Sequence, residues 1–188
     1  FPTAWEPDGS GLLLEKSVGG KGDLMFLPAP TTGKPGPLRE LRATSYDERE
    51  GRFSPNGRLL AFSSDESGKR EVYVAGYGSD GTVGPPLMVS NGGGGLPKWA
   101  GDGRRLFFQD DANRVMSVTV ETTPAPSASS PVAVWDLKKL RVGAIEWDIM
   151  PDGRLLAIQK GEGEDDITVF NVVLHWIDEL RARMAKRA

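Results

Sequence analysis

Phe53-Ser-Pro-Asn-Gly57, followed by Arg58-Leu-Leu-Ala-Phe62, is the stretch on which the fold turns. Asn followed by Gly makes a tight turn, because the Asn side chain bonds nearby backbone and Gly accepts a positive φ. Leu60 and Phe62, three and five residues after the Gly, give the period of two that marks a strand. The phrase recurs as Trp5-Glu-Pro-Asp-Gly9, Trp99-Ala-Gly-Asp-Gly103 and Ile149-Met-Pro-Asp-Gly153. Successive glycines are 48, 46 and 50 residues apart. A large apolar residue stands four before each Gly (Trp5, Phe53, Trp99, Ile149), and Leu stands three after it (Leu12, Leu60, Leu106, Leu156). Five after it come Leu14, Phe62, Phe108 and Ile158.

Outward from each turn the copies stay in step. A second strand is expected at Asp23–Leu27, Glu71–Ala75, Arg114–Val120 and Ile167–Leu174, and a shorter third element at Leu38–Leu41, Pro86–Val89 and Val132–Trp135. With the strand that leads into the turn, each copy holds up to four strands. A four-stranded antiparallel sheet repeated every 40 to 50 residues is the pattern of a β-propeller. One such sheet cannot bury both faces alone and must stack on its neighbours. The expected fold is therefore all-β: a partial propeller of about four blades, at roughly 1–44, 45–90, 91–137 and 138–176, with a short helical tail over 177–188. Thr122-Thr-Pro-Ala-Pro-Ser-Ala-Ser-Ser-Pro131 reads as a flexible loop inside the third blade.

Composition agrees. The 188 residues include 24 Gly and 14 Pro, which suits many short strands and turns rather than helices. Hydrophobic residues make up 38%, enough for a core. The formal net charge of −3 gives no electrostatic reason to expect nucleic acid. The absence of Cys removes disulfides, thiol nucleophiles and Cys-based metal sites. No apolar run has the length of a membrane-spanning helix, so no membrane contact is expected within the chain. The chain starts at Phe1 inside a strand-like phrase and reads as a piece of a longer protein.

Phe53-Ser-Pro-Asn-Gly-Arg-Leu-Leu-Ala-Phe62 and Met150-Pro-Asp-Gly-Arg-Leu-Leu-Ala157 resemble the repeat motif of TolB-like, WD40-like β-propellers. The order of Asp65-Glu-Ser-Gly-Lys-Arg-Glu-Val-Tyr-Val74, Gly92-Gly-Gly-Gly-Leu-Pro-Lys-Trp99 and Ile167-Thr-Val-Phe-Asn-Val-Val-Leu-His-Trp176 resembles one subgroup. That subgroup is the C-terminal sensor propeller that follows a membrane span in many bacterial serine/threonine protein kinases. The resemblance implies extracytoplasmic ligand sensing or protein interaction within a bacterial signalling protein. It departs at Gly101, where the family has Pro, and at Ile149, where the family has an aromatic residue.

Catalytic chemistry finds no motif. His175 is the sole histidine, beside Trp176, and reads as a partly buried or edge residue. There is no Gly-x-Ser-x-Gly elbow and no phosphate loop. Gly76-Tyr-Gly78-Ser-Asp-Gly81 matches a dinucleotide pattern in form. Thr82 and the Pro85-Pro86 pair after it, however, do not open a helix, so it reads as a loop between strands. No cofactor is assigned. Weak Ca²⁺ binding is the one alternative, either at Glu162-Gly-Glu164-Asp165-Asp166 or at a rim of Asp8, Asn56, Asp102 and Asp152. With Gly9, Gly57, Gly103 and Gly153, those four residues are explained by turn chemistry alone. Arg181, Arg183, Lys186 and Arg187 read as an exposed helix end. Trp5, Arg70, Tyr77 and Trp99 are the candidate contacts for a protein, a peptide or a small ligand, with Trp5 and Trp99 read first as packing between blades. The reading is a non-catalytic binding module. A propeller domain of a hydrolase or peptidase, or a scaffold that completes a larger ring, stands as the alternative.

An arc of four blades leaves sheet edges unpaired. The chain is expected to self-associate through them, which light scattering of the purified chain measures; a closed monomeric ring would refute it.

Overall fold

The computed structural model describes residues 1–30, 33–122 and 126–159. In each copy the Asx-Gly phrase closes a hairpin. Gly9, Gly57, Gly103 and Gly153 take φ of 78°, 67°, 64° and 86°. The preceding carboxylate or amide oxygen accepts the amide two residues on: Asp8 from Ser10 at 2.8 Å, Asn56 from Arg58 at 3.1 Å, Asp102 from Arg104 at 2.9 Å and Asp152 from Arg154 at 3.0 Å. These are the Asx turns expected of that residue pair.

Four antiparallel sheets follow. Sheet one is the meander β1 (Pro2–Trp5), β2 (Gly11–Val18), β3 (Lys21–Pro28) and β4 (Arg39–Arg42). Sheet two is β5 (Arg49–Phe53), β6 (Leu59–Ser64), β7 (Glu71–Tyr77) and β8 (Val83–Met88). Sheet three is β9 (Gly95–Trp99), β10 (Arg105–Gln109) and β11 (Arg114–Glu121), whose outer edge pairs with both β12 (Ser127–Ala128) and β13 (Val132–Asp136). The described part of sheet four is β14 (Val142–Ile149) and β15 (Leu155–Gln159). The described residues contain no helix. The expected fourth-blade strand at Ile167–Leu174 and the helical tail lie outside them. The Pro/Ser-rich stretch is more than a loop, because Ser127 and Ala128 pair with Glu121 and Val120.

The sheets stack face to face. Leu13, Leu24 and Phe26 of sheet one meet Phe53, Leu60, Phe62, Tyr73, Ala75 and Tyr77 of sheet two. The other face of sheet two, with Leu59, Ala61, Val72 and Val74, meets Leu106, Phe108, Val118 and Val120 of sheet three. Every residue of β6 is therefore buried, and adjacent side chains serve opposite interfaces. Phe107, Val115 and Leu137 of sheet three meet Trp147 of sheet four. The first strands touch in succession, β1 with β5, β5 with β9 and β9 with β14, so they form the inner wall of the arc.

Trp5 differs from its counterparts. Phe53 and Trp99 pack toward the preceding sheet, but no described sheet precedes Trp5, and it is 64% exposed. Sheet four differs in register. Trp5 pairs with Leu12, Phe53 with Leu60 and Trp99 with Leu106, but Ile149 pairs with Leu155, one residue earlier. A one-residue slip turns every side chain to the other face. Leu155 and Ala157 accordingly face sheet three, while Leu156 and Ile158 are 59% and 58% exposed. Trp147, two residues before Ile149, supplies the buried aromatic, and its indole donates to Gln109 at 3.0 Å.

Gly101, where the other three copies have Pro, has a physical reason. Its amide donates to Pro151 O at 3.0 Å, and a Cβ there would lie 2.7 Å from that oxygen. Proline has neither the donor nor the room.

Polar bonds register the sheets at the bulge before each aromatic. Glu50 and Leu96 occupy the same repeat position and both take positive φ, 59° and 54°. One extra residue is accommodated there in β5 and in β9, as in a β-bulge. The Glu50 amide donates to Glu15 of sheet one at 3.2 Å. The Glu50 carboxylate accepts from Leu96 N of sheet three at 2.7 Å and from Ser63 Oγ at 2.9 Å. One residue thus ties three sheets together.

Replacing Glu50 with Ala leaves the Leu96 amide without its acceptor and removes a charge-assisted bond, a loss of about 2–4 kcal/mol. Urea unfolding is expected to show that loss, with Glu50→Gln retaining part of the stability.

Candidate functional site

A cleft of about 880 Å³ opens where the turns of the first two sheets come together. The β1–β2 turn supplies Glu6, Asp8 and Ser10, and the β5–β6 turn supplies Asn56 and Arg58. The β7–β8 loop contributes Ser79, Asp80 and Gly81, and Arg39 enters from β4. The floor is aromatic. Phe26 and Tyr77 are buried, and the Tyr77 ring lies 4.8 Å from Phe53. Arg39 sits over the Phe26 ring at 4.8 Å. Gly81 beside it takes φ of 80°, a backbone conformation that favours glycine, and lies against the flexible guanidinium end.

Most of the polar groups are held by their own turns. The Ser10 hydroxyl donates to the Glu6 carboxylate. Asn56 Oδ1 also accepts from Ser54 Oγ at 2.7 Å. Asp80 Oδ1 accepts from the Thr82 amide at 3.0 Å and its hydroxyl at 2.7 Å. The Ser10 amide holds Asp8 below the usual carboxylate range, and the Thr82 hydroxyl does the same for Asp80. Burial, reinforced by the charge of Glu6, pushes the Tyr77 phenol up to about 12. The result is a wall of both charges, Glu6, Asp8 and Asp80 held in their turns against Arg39 over the Phe26 ring and the exposed Arg58, above an apolar floor with one neutral phenol. This suits recognition of a ligand carrying both signs of charge and an apolar part.

The structure separates the four contacts expected from sequence. Tyr77 lies in the cleft floor. Arg70 is at the opposite end of β6, where it donates to Ser63 Oγ at 3.1 Å and to Asp47. There it belongs to the charge network that also holds Arg49 on Glu15 at 3.0 Å. Trp99 packs between sheets two and three, and its indole donates to Arg52 O at 3.2 Å. Trp5 stands on the outer face of sheet one. The rim of Asp8, Asn56, Asp102 and Asp152 divides, with Asp8 and Asn56 in the cleft lining and Asp102 and Asp152 outside it. Asp102 accepts from Arg105 Nε at 3.0 Å and Asp152 from Arg154 Nε at 2.7 Å, each within its own turn. Among the described residues no group of three or more acidic or histidine side chains is placed to hold a metal ion. His175, Glu162, Glu164, Asp165 and Asp166 lie outside the described residues. The Gly76–Gly81 segment closes the β7–β8 hairpin. Glu6, Arg39, Arg58 and Asp80 were not singled out from sequence. Asp80-Gly81 carries the same turn signal as the repeat, and Arg58 follows the repeat Gly as Arg104 and Arg154 do, but Arg39 has no local pattern.

No protein-family model matches the chain, and no curated protein matches it. Solved structures do. A TolB candidate from Agrobacterium tumefaciens is 16% identical at a TM-score of 0.57, over 84% of this chain and 56% of that one. A 6-phosphogluconolactonase candidate from Bacteroides uniformis is 17% identical at 0.59, over 84% of this chain and 48% of that one. A puromycin-hydrolyzing peptidase from Mycobacterium tuberculosis is 22% identical at 0.51, over 81% and 26%. The fold is that of a TolB-like β-propeller, and the chain spans between about a quarter and just over half the length of these structures.

The unfolded value for Tyr77 is 10.0 and the folded value is higher, so its contribution to stability is fully present below pH 10. It is lost as pH rises through about 12. Burial also pushes the Tyr73 phenol up, so phenolate absorbance is expected to show two tyrosines titrating above the ordinary value, with the step near 12 lost in Tyr77→Phe, and that variant's stability should fall less between pH 10 and 12.

Proposed function

We propose that this chain, with its TolB-like β-propeller fold, is a non-catalytic binding module that holds a protein, a peptide or a small ligand in the cleft between its first two sheets. The observation that carries this reading is the cleft itself: 880 Å³, with an apolar floor and charges of both signs on its wall, the carboxylates fixed by their own turns. Fixed groups suit binding, because little side-chain freedom remains to be lost when a ligand arrives. A peptide meets the description best, since it offers both charges and apolar side chains in one chain. The role would be sensing or interaction within a larger bacterial signalling protein, as the sequence resemblance implies. Self-association through exposed blade edges belongs to the same reading.

A second reading is favoured by the names of two structures of similar fold, the lactonase candidate and the peptidase. In that reading the chain is the propeller domain of a hydrolase. Turnover of generic ester or peptide substrates by the purified chain, lost in His175→Ala, would replace the binding reading with this one.

Selection of a random heptapeptide display library on the chain tests the first reading. Enriched peptides are expected to stabilise the chain in a thermal melt, by about 2.7 kcal/mol at 100 times the dissociation constant. Arg39→Glu with Arg58→Glu is expected to abolish that shift. Peptides that bind this double variant as well as the parent would remove the cleft from consideration.

A further inference from the structure

A second surface, on the inner wall of the arc, holds charges the cleft does not use. Five residues before each repeat Gly stand Ala4, Arg52, Lys98 and Asp148. They occupy one register position on the four first strands, and those strands lie side by side. Two cations are therefore adjacent, with a methyl group on one flank and a carboxylate on the other.

The two cations are held differently. Lys98 leans toward sheet four. Its ammonium lies 3.3 Å from Asp148 Oδ1 and 5.0 Å from the Trp147 ring centroid. Arg52 leans toward sheet one, and its Nη1 donates to Thr3 O and, at 3.1 Å, to Gly51 O. Among the described residues, no carboxylate lies within ion-pair distance of the Arg52 guanidinium, and its side-chain bonds run from Nη1 to carbonyl oxygens. A half-buried guanidinium ordinarily finds an anionic partner, because carbonyl dipoles compensate only part of its lost hydration. Burial pulls the Arg52 pKa down, and the more distant charges of Asp148 and Glu50 oppose it.

Between the two side chains is a hollow of about 220 Å³, lined by Arg52, Phe53, Pro55, Lys98, Trp99 and Asp148. It is below the size of a drug-sized pocket and fits an end group rather than a whole ligand. Trp99 supplies one wall, and its orientation is fixed by its bond to Arg52 O. The geometry points to a carboxylate-binding site on the inner wall, in which Arg52 takes a ligand carboxylate beside the Lys98–Asp148 pair. The planar fork of an arginine matches a carboxylate in two parallel bonds. Asp148 already shows a carboxylate seated against Lys98. The side chain of Asp148 is 64% exposed, so it is an adjustable neighbour rather than a buried fixture. The carboxylate comes from a free organic acid or from an acidic residue of a peptide. This site is separate from the cleft.

The Trp99 indole N–H reports on the hollow in a ¹⁵N-labelled sample of the whole chain. Its signal is expected to shift and saturate on titration with acetate, or with the capped peptide acetyl-Ala-Glu-Ala-amide, and to stay fixed with acetyl-Ala-Gln-Ala-amide. Saturation by acetate alone assigns a free acid, and saturation by the Glu peptide assigns a peptide; either supports the site. Arg52→Gln is expected to weaken binding by at least about tenfold, the loss of one charge-assisted bond. Asp148→Asn touches no buried bond and is expected to tighten it by removing a competing negative charge. Arg39→Gln, in the cleft, should leave it unchanged. An indole signal that does not move in the parent chain, or that moves equally with the Gln peptide, would overturn the site. So would an Asp148→Asn chain that binds no more tightly than the parent.

Discussion

Each central sheet of this protein has two apolar faces, and neither can be left in water. Burying a large apolar side chain is favourable by about 1.5–3 kcal/mol. In β6 and β7 such residues alternate between two interfaces, so sheet two needs a neighbour on each side. That requirement turns a string of hairpins into an arc. It also leaves the turns, loops and innermost strands as the places where polar chemistry can collect, since the faces are given over to packing.

Apolar faces are permissive about register, and polar bonds supply the discrimination they lack. The bulges at Glu50 and Leu96 place two non-glycine residues at positive φ, a conformation that costs energy and persists only where surrounding contacts require it. Here the requirement is the chain of bonds from Glu15 through the Glu50 amide and carboxylate to the Leu96 amide. Sheet four meets the same need by other means, with Trp147 donating to Gln109. Both candidate ligand surfaces depend on this registration. The cleft exists because the turns of sheets one and two are brought level, and the inner-wall hollow exists because Arg52 and Lys98 fall at one register position on adjacent strands.

How far a site could be read from sequence depended on how local its signals are. Tyr77 stood out as an aromatic residue beside a turn, and Asp80-Gly81 carried turn chemistry. Arg39 came to the cleft from a position whose own sequence resembles any solvated cation, and Arg58 belonged to the repeat motif without any sign that it would meet Arg39. Arg70 looked like a contact residue because it is large and adjacent to a turn, yet it is engaged by Asp47, whereas Trp99 packs between sheets two and three as its place in the repeat implies.

The sequence by itself determined the four repeat hairpins and, in the second and third copies, the residues that face inward. An Asx-Gly turn and a period of two act within about ten residues, and their physics needs no distant partner. Only the tertiary structure decided which face of β15 is buried, why Gly101 replaces proline, and which charges share a cleft. Those outcomes rest on contacts between residues some 30 to 50 positions apart, such as Gly101 with Pro151 and Arg39 with Gly81. Such contacts follow from how one sheet settles on the next, which no short stretch of the chain encodes.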